Sequence, residues 1–279
     1  MLQSFAQIQR ELGEIYSANE IRQIFYALAE KVTGLSKTDL IANKNTIFSD
    51  LQKELFDLLI NKLKNREPLQ YVLGEAWFFG LKFKVNSLVL IPRPETEELV
   101  EWIVKDNVKS NHLKILDIGT GSGCIPISLK SVFKNATIAG SDISDEALET
   151  ARVNAQVNNV DVTFLKADIS LLEPNEFNWD IIVSNPPYIT ETEKDEMTES
   201  VINFEPHLAL FVNDKDPLLF YKLIADYATE HLVENGKLYF EINRKFGEAC
   251  VKMLKEKGFK NVELRKDISG NDRMIKAGR

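Results

Sequence analysis

The stretch of this chain best suited to chemistry is Asn185-Pro186-Pro187-Tyr188. Two prolines remove two backbone donors and stiffen the chain, which leaves carbonyl oxygens free to face a cleft. The Asn185 side-chain oxygen and the Pro186 carbonyl can then accept both hydrogens of one –NH2 group, while Tyr188 offers a flat face to a planar target. An amide nitrogen attacks poorly because its lone pair is delocalised. Two acceptors fixed on its hydrogens favour the positive charge that develops during attack and aim the lone pair. Asn185, Pro186 and Tyr188 are therefore the candidate catalytic residues, and Asn185, Pro186, Pro187 and Tyr188 the candidate substrate contacts.

A second constellation lies upstream, in Asp117-Ile118-Gly119-Thr120-Gly121-Ser122-Gly123. Glycines let a backbone turn tightly and approach a ligand closely, and a helix that follows presents free N–H groups. The third glycine comes one residue too early for the dinucleotide fingerprint. Gly119, Thr120, Gly121, Ser122 and Gly123 are candidate cofactor contacts. Asp142 ends the next apolar run, where a carboxylate can accept from both hydroxyls of a ribose. Asp168 closes the run after that, in reach of an adenine amino group. Two acids at strand ends after a glycine loop favour an adenosine-containing ligand. Asp117 either steadies the loop or meets an amino group of that ligand.

These residues need a scaffold, and the hydrophobic pattern supplies one. From residue 113, the short apolar runs KILDIG, ATIAGSD, VTFLKAD, DIIVSN and KLYFEI alternate with helical stretches, as in a doubly wound parallel sheet. Ligands on such sheets bind beyond the C-terminal strand ends, where both constellations fall. The tail departs from the pattern: two β-like runs flank Gly270-Asn271, and a closing hairpin with one antiparallel strand accounts for it. The aromatic WFFGLKFKV around Gly80 reads as a hairpin. Residues 1–65 read as all helix. Phe5, Ile8, Leu12 and Ile15 recur at helical spacing, and Ser17 with Glu20 forms a capping box before a helix that Gly34 stops. Leu51, Leu55, Leu58, Leu59 and Leu63 mark another helix. The boundaries read as 1–75 for a helical domain, 76–92 for a hairpin linker and 93–279 for the sheet domain. The helical domain is either a structural bundle or a partner-recognition module.

Composition narrows the function. The 34 basic and 42 acidic residues give a formal charge of −8, and residues 1–75 are nearly balanced, so the deficit sits in the remainder. No basic patch of the kind that grips a nucleic-acid backbone is visible. Glu191, Glu193, Asp195, Glu196 and Glu199 follow the Asn-Pro-Pro-Tyr segment with only Lys194 among them, a rim that repels phosphates and admits a basic protein surface. No run approaches the roughly 18 apolar residues of a membrane span, and the N-terminus lacks a signal peptide's regions, which predicts a cytoplasmic protein. Cys124, Cys250, His112, His207 and His231 show no metal-ligand spacing, and Cys124 reads as a small packing residue.

The Asn-Pro-Pro-Tyr segment resembles the [Asn/Asp/Ser]-Pro-Pro-[Tyr/Phe] motif of class I amino-methyltransferases. More specifically, Glu67-Pro-Leu-Gln-Tyr-Val-Leu-Gly74, Leu90-Ile-Pro-Arg-Pro-Glu-Thr-Glu97, the glycine loop, Asn185 to Tyr188, Glu205-Pro206 with Ala209-Leu210-Phe211, and Glu241-Ile242 occur in one order. Together they resemble the PrmC/HemK family, protein-(glutamine-N5) methyltransferases that act on peptide chain release factors. The resemblance implies a class I, Rossmann-like fold, a mostly parallel sheet with one antiparallel strand, behind a small N-terminal all-α domain. It implies S-adenosylmethionine as cofactor, S-adenosylhomocysteine as product, no metal, and methylation of the glutamine in a release factor's Gly-Gly-Gln loop, without direct nucleic-acid or membrane contact. It carries cofactor contacts onto Gly119 to Gly123, Asp142 and Asn185. Ile169 stands where relatives often place an aromatic beside adenine, and Asp216-Pro217 replaces the Gly-Leu pair often seen after Ala-Leu-Phe. Arg93 to Glu97 match the motif without an evident chemical role beyond a capped helix start. Alternatives within the enzyme class are a ribosomal-protein glutamine methyltransferase and a nucleic-acid adenine N6-methyltransferase; outside it, a cofactor-binding scaffold without turnover.

Overall fold

The computed structural model describes residues 2–43, 46–171 and 178–279, and the chain divides into two compact units. The first comprises Met1–Glu75 together with Thr198–Phe204. Its helices are α1 (Leu2–Leu12), α2 (Ala18–Thr33), α3 (Lys37–Ala42), α4 (Asp50–Lys64) and α5 (Leu69–Leu73). Three of them start the same way: Ser17, Ser36 and Ser49 each cap the amide three residues on, and Glu20, Asp39 and Gln52 reach back to the cap's own N–H. Gly34 ends α2 with φ at 72°, the left-handed conformation that glycine adopts without a Cβ clash. The core joins Ile8 and Leu12 of α1 to Ile24, Phe25 and Leu28 of α2 and to Phe56, Ile60 and Leu63 of α4. The leucines that mark α4 in the sequence are divided between its two faces. The buried face of α4 is Phe56, Leu59, Ile60 and Leu63, whereas Leu51, Leu55 and Leu58 are exposed by 78%, 38% and 54%. Those three leucines also keep helical spacing, and only tertiary packing decides which stripe goes inside.

The second unit, Ala76–Met197 and Glu205–Arg279, is built on one seven-stranded sheet. It opens with a hairpin of β1 (Glu75–Phe78) and β2 (Leu81–Lys84), whose two-residue turn puts Phe79 at φ 50° and Gly80 at φ 73°. Positive φ at both turn positions matches the right-handed twist of paired strands. There follow α6 (Pro94–Asn107), β3 (Lys114–Ile118), α7 (Cys124–Val132), β4 (Thr137–Asp142), α8 (Asp145–Val157), β5 (Thr163–Lys166) and β6 (Trp179–Ser184). Beyond them come β7 (Ile189–Thr190), α9 (Glu199–Phe204, in the helical unit), α10 (His207–Leu210), β8 (Phe211–Val212), α11 (Leu219–His231), β9 (Leu232–Glu241), α12 (Gly247–Glu256), β10 (Lys260–Lys266) and β11 (Asp272–Gly278).

The strand order is β10-β11-β9-β6-β3-β4-β5. All pairs from β9 to β5 are parallel, and β11 runs antiparallel to both its neighbours, as the sequence predicts for the closing hairpin. Both faces are covered. Leu116, Ile182 and Phe240 pack with α11 and α12 on one face. Ile115, Ile181, Val183 and Tyr239 pack with α6, α7, Phe78 and Phe83 on the other. That period of two on each strand is what a sheet buried on both sides requires. Phe78 and Phe83 of the hairpin are thus part of this unit's core. Among the described residues no helix is long and apolar enough to cross a membrane.

Candidate active site

Strand register assembles the site before any side chain is considered. Ile118 of β3 pairs with Ser184 of β6 and with Ser141 of β4, and Ser184 pairs with Phe240 of β9. One residue further, Glu241, Asn185, Gly119 and Asp142 therefore stand in a row across four adjacent C-terminal strand ends. The chain winds outward from β3 through β4 to β5 and returns to β6 on β3's other side. The row thus straddles the point where strand order reverses, the usual crevice of an open α/β sheet.

The glycine loop sits at the centre of this row. Gly119, Gly121 and Gly123 have φ of 74°, 52° and 79°. A Cβ on Gly123 would meet Ile127 Cδ1 at 2.9 Å and Ala151 Cβ at 3.0 Å, so this glycine serves close helix packing. A Cβ on Gly119 or Gly121 would meet nothing within 4 Å, so these two have backbone open to a ligand. Asn154 of α8, fully buried, ties the loop to the hairpin by donating to the carbonyls of Ser122 (2.9 Å) and Lys84 (3.0 Å). Nothing in the local sequence marks that asparagine.

Asp142 accepts from the amides of Gly121 (2.8 Å) and Ser144 (3.0 Å), one on each oxygen. Burial pushes its carboxyl above the ordinary value, against those amides, and each oxygen keeps a second lone pair for a ligand. Asp117 is fully buried, and neither of its oxygens nor the hydroxyl of nearby Thr120 has a formed hydrogen bond. Burial pushes the Asp117 carboxyl up to about 7, partly offset by Thr120 and reinforced by Asp142. Unpaired buried polar atoms beside an open glycine loop suit a ligand that brings its own donors. Asp168 and Ile169 lie beyond β5, which ends at Lys166 rather than at Asp168. Asp168 accepts from the Ser170 amide and hydroxyl, which hold its carboxyl below the ordinary value. Ile169 packs against the sheet core. Cys124 is buried, its thiol pushed up to about 12 by burial, and it packs among the apolar residues of α7 and the sheet.

Asn185 and Tyr188 are the two ends of one chain of hydrogen bonds that runs through Thr96 and Glu241. Asn185 Nδ2 donates to Thr96 Oγ1 (3.2 Å), Thr96 Oγ1 donates to Glu241 Oε2 (2.6 Å), and Tyr188 Oη donates to Glu241 Oε1 (3.0 Å). Thr96 and Glu241 are 2% and 1% exposed. Burial pushes the Glu241 carboxyl up, opposed by Thr96, Tyr188 and Arg273. Burial and the Glu241 carboxylate push the Tyr188 phenol well up, so it stays a neutral donor. Beside this chain, Asn243 Nδ2 donates to the Tyr188 carbonyl (3.0 Å) and to Glu193 Oε2 (2.9 Å). Arg93 donates to Glu205 at 2.5 Å, and the Ile91 amide reaches that same carboxylate at 3.3 Å. Thr96, Glu205 and Glu241 thereby acquire roles that their motifs alone do not reveal.

The acidic rim carries less free charge than its sequence implies. Glu193 is internal: burial works against its charge, yet Thr190, Lys245 and Asn243 hold its carboxyl below the ordinary value. Glu196 pairs with Lys245 at 2.9 Å and with Arg244 at 3.6 Å, and Glu191 pairs with Lys194 at 2.8 Å. Among the described residues no three His, Cys, Asp or Glu side chains are grouped to hold a metal ion.

The methyltransferase small domain family matches residues 96–207, and the PrmC N-terminal domain family matches residues 3–74. A release factor glutamine methyltransferase of Flavobacterium psychrophilum is 49% identical over 97% of this chain and 96% of its own length. The protein of the same description from Bacteroides thetaiotaomicron is 43% identical over 98% of each. Among solved structures, a methyltransferase from Pyrococcus furiosus superposes with a TM-score of 0.54 at 18% identity, covering 81% of this chain and 98% of its own, a likeness of fold.

Proposed function

Because the chain belongs to the release factor glutamine methyltransferase family, a family of methyltransferases, we propose that it methylates the side-chain amide nitrogen of the glutamine in the Gly-Gly-Gln loop of peptide chain release factors, with S-adenosylmethionine as donor. The observation that carries this reading is Asn185. Its nitrogen is engaged by Thr96, so its oxygen is left as an acceptor beside the proton-free Pro186-Pro187 backbone. S-adenosylmethionine supplies an electrophilic methyl on a sulfonium. Gly119 to Gly123 give it a close backbone approach, Asp142 receives the ribose hydroxyls, and Asp117 receives the ammonium. Asp168 and Ile169 border the adenine. Asn185 and the Pro186 carbonyl hold the two amide hydrogens and aim the nitrogen, and Tyr188 and Pro187 wall the flat substrate amide. The reading is tested by incubating the chain with labelled donor and a panel of release factors, ribosomal proteins and nucleic acids, then mapping the methylated atom. Label on a release-factor glutamine is expected; label only on adenine or on a ribosomal protein sinks it.

The helical unit is proposed to recognise the protein substrate. Support comes from the exposed Leu51, Leu55 and Leu58 stripe of α4, apolar surface that a folding role leaves unexplained. A fragment beginning near Trp77, once its folding is verified, is expected to bind donor and to methylate release factor poorly. Equal kcat/KM for fragment and full chain would show the helices to be structural only.

Asp142 offers a test of the donor site. Asp142→Ala is expected to weaken S-adenosylmethionine binding by about 1.5–3 kcal/mol, the range for hydrogen bonds to a charged group. Unchanged affinity by calorimetry, in a folded variant, removes Asp142 from the site.

A further inference from the structure

The hydrogen-bond chain that starts at Asn185 has a direction, and the direction follows from proton counting. Two incoming protons, from Thr96 and Tyr188, and the charge of Arg273 favour the ionised form of Glu241 against its burial, and a carboxylate accepts and cannot donate. Glu241 therefore takes the single proton of Thr96 on Oε2 and that of Tyr188 on Oε1. With its proton committed, Thr96 Oγ1 can only accept from Asn185, and the one group on Asn185 able to donate is Nδ2. The carboxamide has no freedom to turn over: Nδ2 faces Thr96 and Oδ1 faces away from it.

We propose that Glu241 and Thr96 are positioning residues that act through Asn185, setting its amide oxygen toward the substrate –NH2 by a one-way hydrogen-bond relay. The proposal rests on the reading of Asn185 as an acceptor for a substrate amide. An asparagine free to flip would present its own –NH2 to the substrate's –NH2 in half of its orientations, two donors facing each other. The relay removes that orientation before the substrate arrives, which is the preorganisation an electrostatic site needs. Three elements are required, since Thr96 is on the first turn of α6, Asn185 follows β6 and Glu241 ends β9. Tyr188 is held by the same carboxylate, so the two ends of the Asn-Pro-Pro-Tyr segment share one anchor.

A mutant cycle on the full chain separates this from a merely structural role. In Glu241→Gln, the new amide nitrogen must face either Thr96, reversing the relay, or Tyr188, whose proton then loses its acceptor. kcat is expected to fall several-fold. In Asn185→Asp, two carboxylates compete for the one Thr96 proton, and both kcat and Tm are expected to drop. In the double variant, the new amide at position 241 donates to Thr96 and Thr96 donates to the new carboxylate at position 185, so every group is again matched. Glu241→Gln should then raise kcat about tenfold over Asn185→Asp alone and recover about 2–6 °C of Tm. The substitution harmful in one background is helpful in the other. If Glu241→Gln lowers kcat and Tm by the same factor in both backgrounds, Glu241 only supports the fold and the relay is wrong. If Asn185→Asp is fully active and fully stable, amide orientation does not matter and the relay is equally wrong. The Tm arm needs no substrate. Coupled Tm values in a chain that leaves release-factor glutamine unmethylated would overturn the proposed function and keep the relay, whereas additive Tm values overturn the relay whatever the substrate.

Discussion

Replacing Asn185 with alanine is expected to lower kcat by about 10²–10³, the cost of one preorganised transition-state acceptor. The substrate nitrogen gains positive charge only as it attacks, so the acceptor is worth more in the transition state than in the ground state and its loss falls on kcat. Binding of S-adenosylmethionine is expected to change much less, because the donor's contacts are proposed on the glycine loop and Asp142. The substitution also leaves Thr96 Oγ1 without its incoming bond, but Thr96 keeps its bond to Glu241, so the fold should be retained. Single-turnover rates with saturating donor and release factor measure the effect, with circular dichroism as the folding check. Near-normal turnover at glutamine in the alanine variant would refute the two-acceptor arrangement, and Tyr188 or the Pro186 carbonyl would then have to aim the amide.

The second large effect is on stability and comes from Asp117. Its carboxyl is fully buried without a formed hydrogen bond and is pushed up to about 7 from an ordinary 3.8. Between those two values the folded chain holds a proton that the unfolded chain has released. Stability therefore falls as pH rises through this window, and the loss is complete above about pH 7. Asp117→Asn removes the ionisation. Relative to the parent it is expected to gain stability between about pH 4 and pH 8, by an amount on the order of 4 kcal/mol at most. The difference between the two pH values is the informative quantity, because any packing cost of the asparagine is common to both. Urea melts of both proteins across that range measure it, and a difference that stays flat with pH would mean the carboxyl is solvated or paired. The same variant should bind S-adenosylmethionine more weakly, since the contact proposed between Asp117 and the ammonium loses its counter-charge.

Strands and their order of use were readable because each apolar run stops at a residue with a physical reason to end it: Gly119 after β3, Asp142 at the end of β4, Asn185-Pro186 after β6. What stayed hidden depends on distance along the chain. Thr96 meets Asn185 across 89 residues and Glu241 across 145, and no local pattern announces such contacts. The leucines marked the helix α4 but not its buried face, because two stripes of one helix both keep helical spacing and burial went to the one containing Phe56 and Ile60. The net charge of the acidic rim was not legible, because charges counted in sequence are partly spent in the fold, on Asn243, Arg244 and Lys245. Asp168 was placed at a strand end that comes two residues earlier.

The helical unit is discontinuous, drawing α9 from between the Asn-Pro-Pro-Tyr loop and Glu205. That bears on engineering. A chimera that takes residues 1–75 from a relative with a different protein preference imports a bundle while leaving the old α9 to dock on it, a mismatched interface inside one module. A workable graft has to move residues 198–204 as well. The exchange then reaches into the stretch of chain that continues from Tyr188, where any change in length would pull on the loop that Asn243 and Glu193 secure. On the proposed recognition role of the helical unit, substrate preference and the geometry of the Asn-Pro-Pro-Tyr loop would be inherited as a linked pair of segments, and libraries aimed at new protein targets should vary both segments in register.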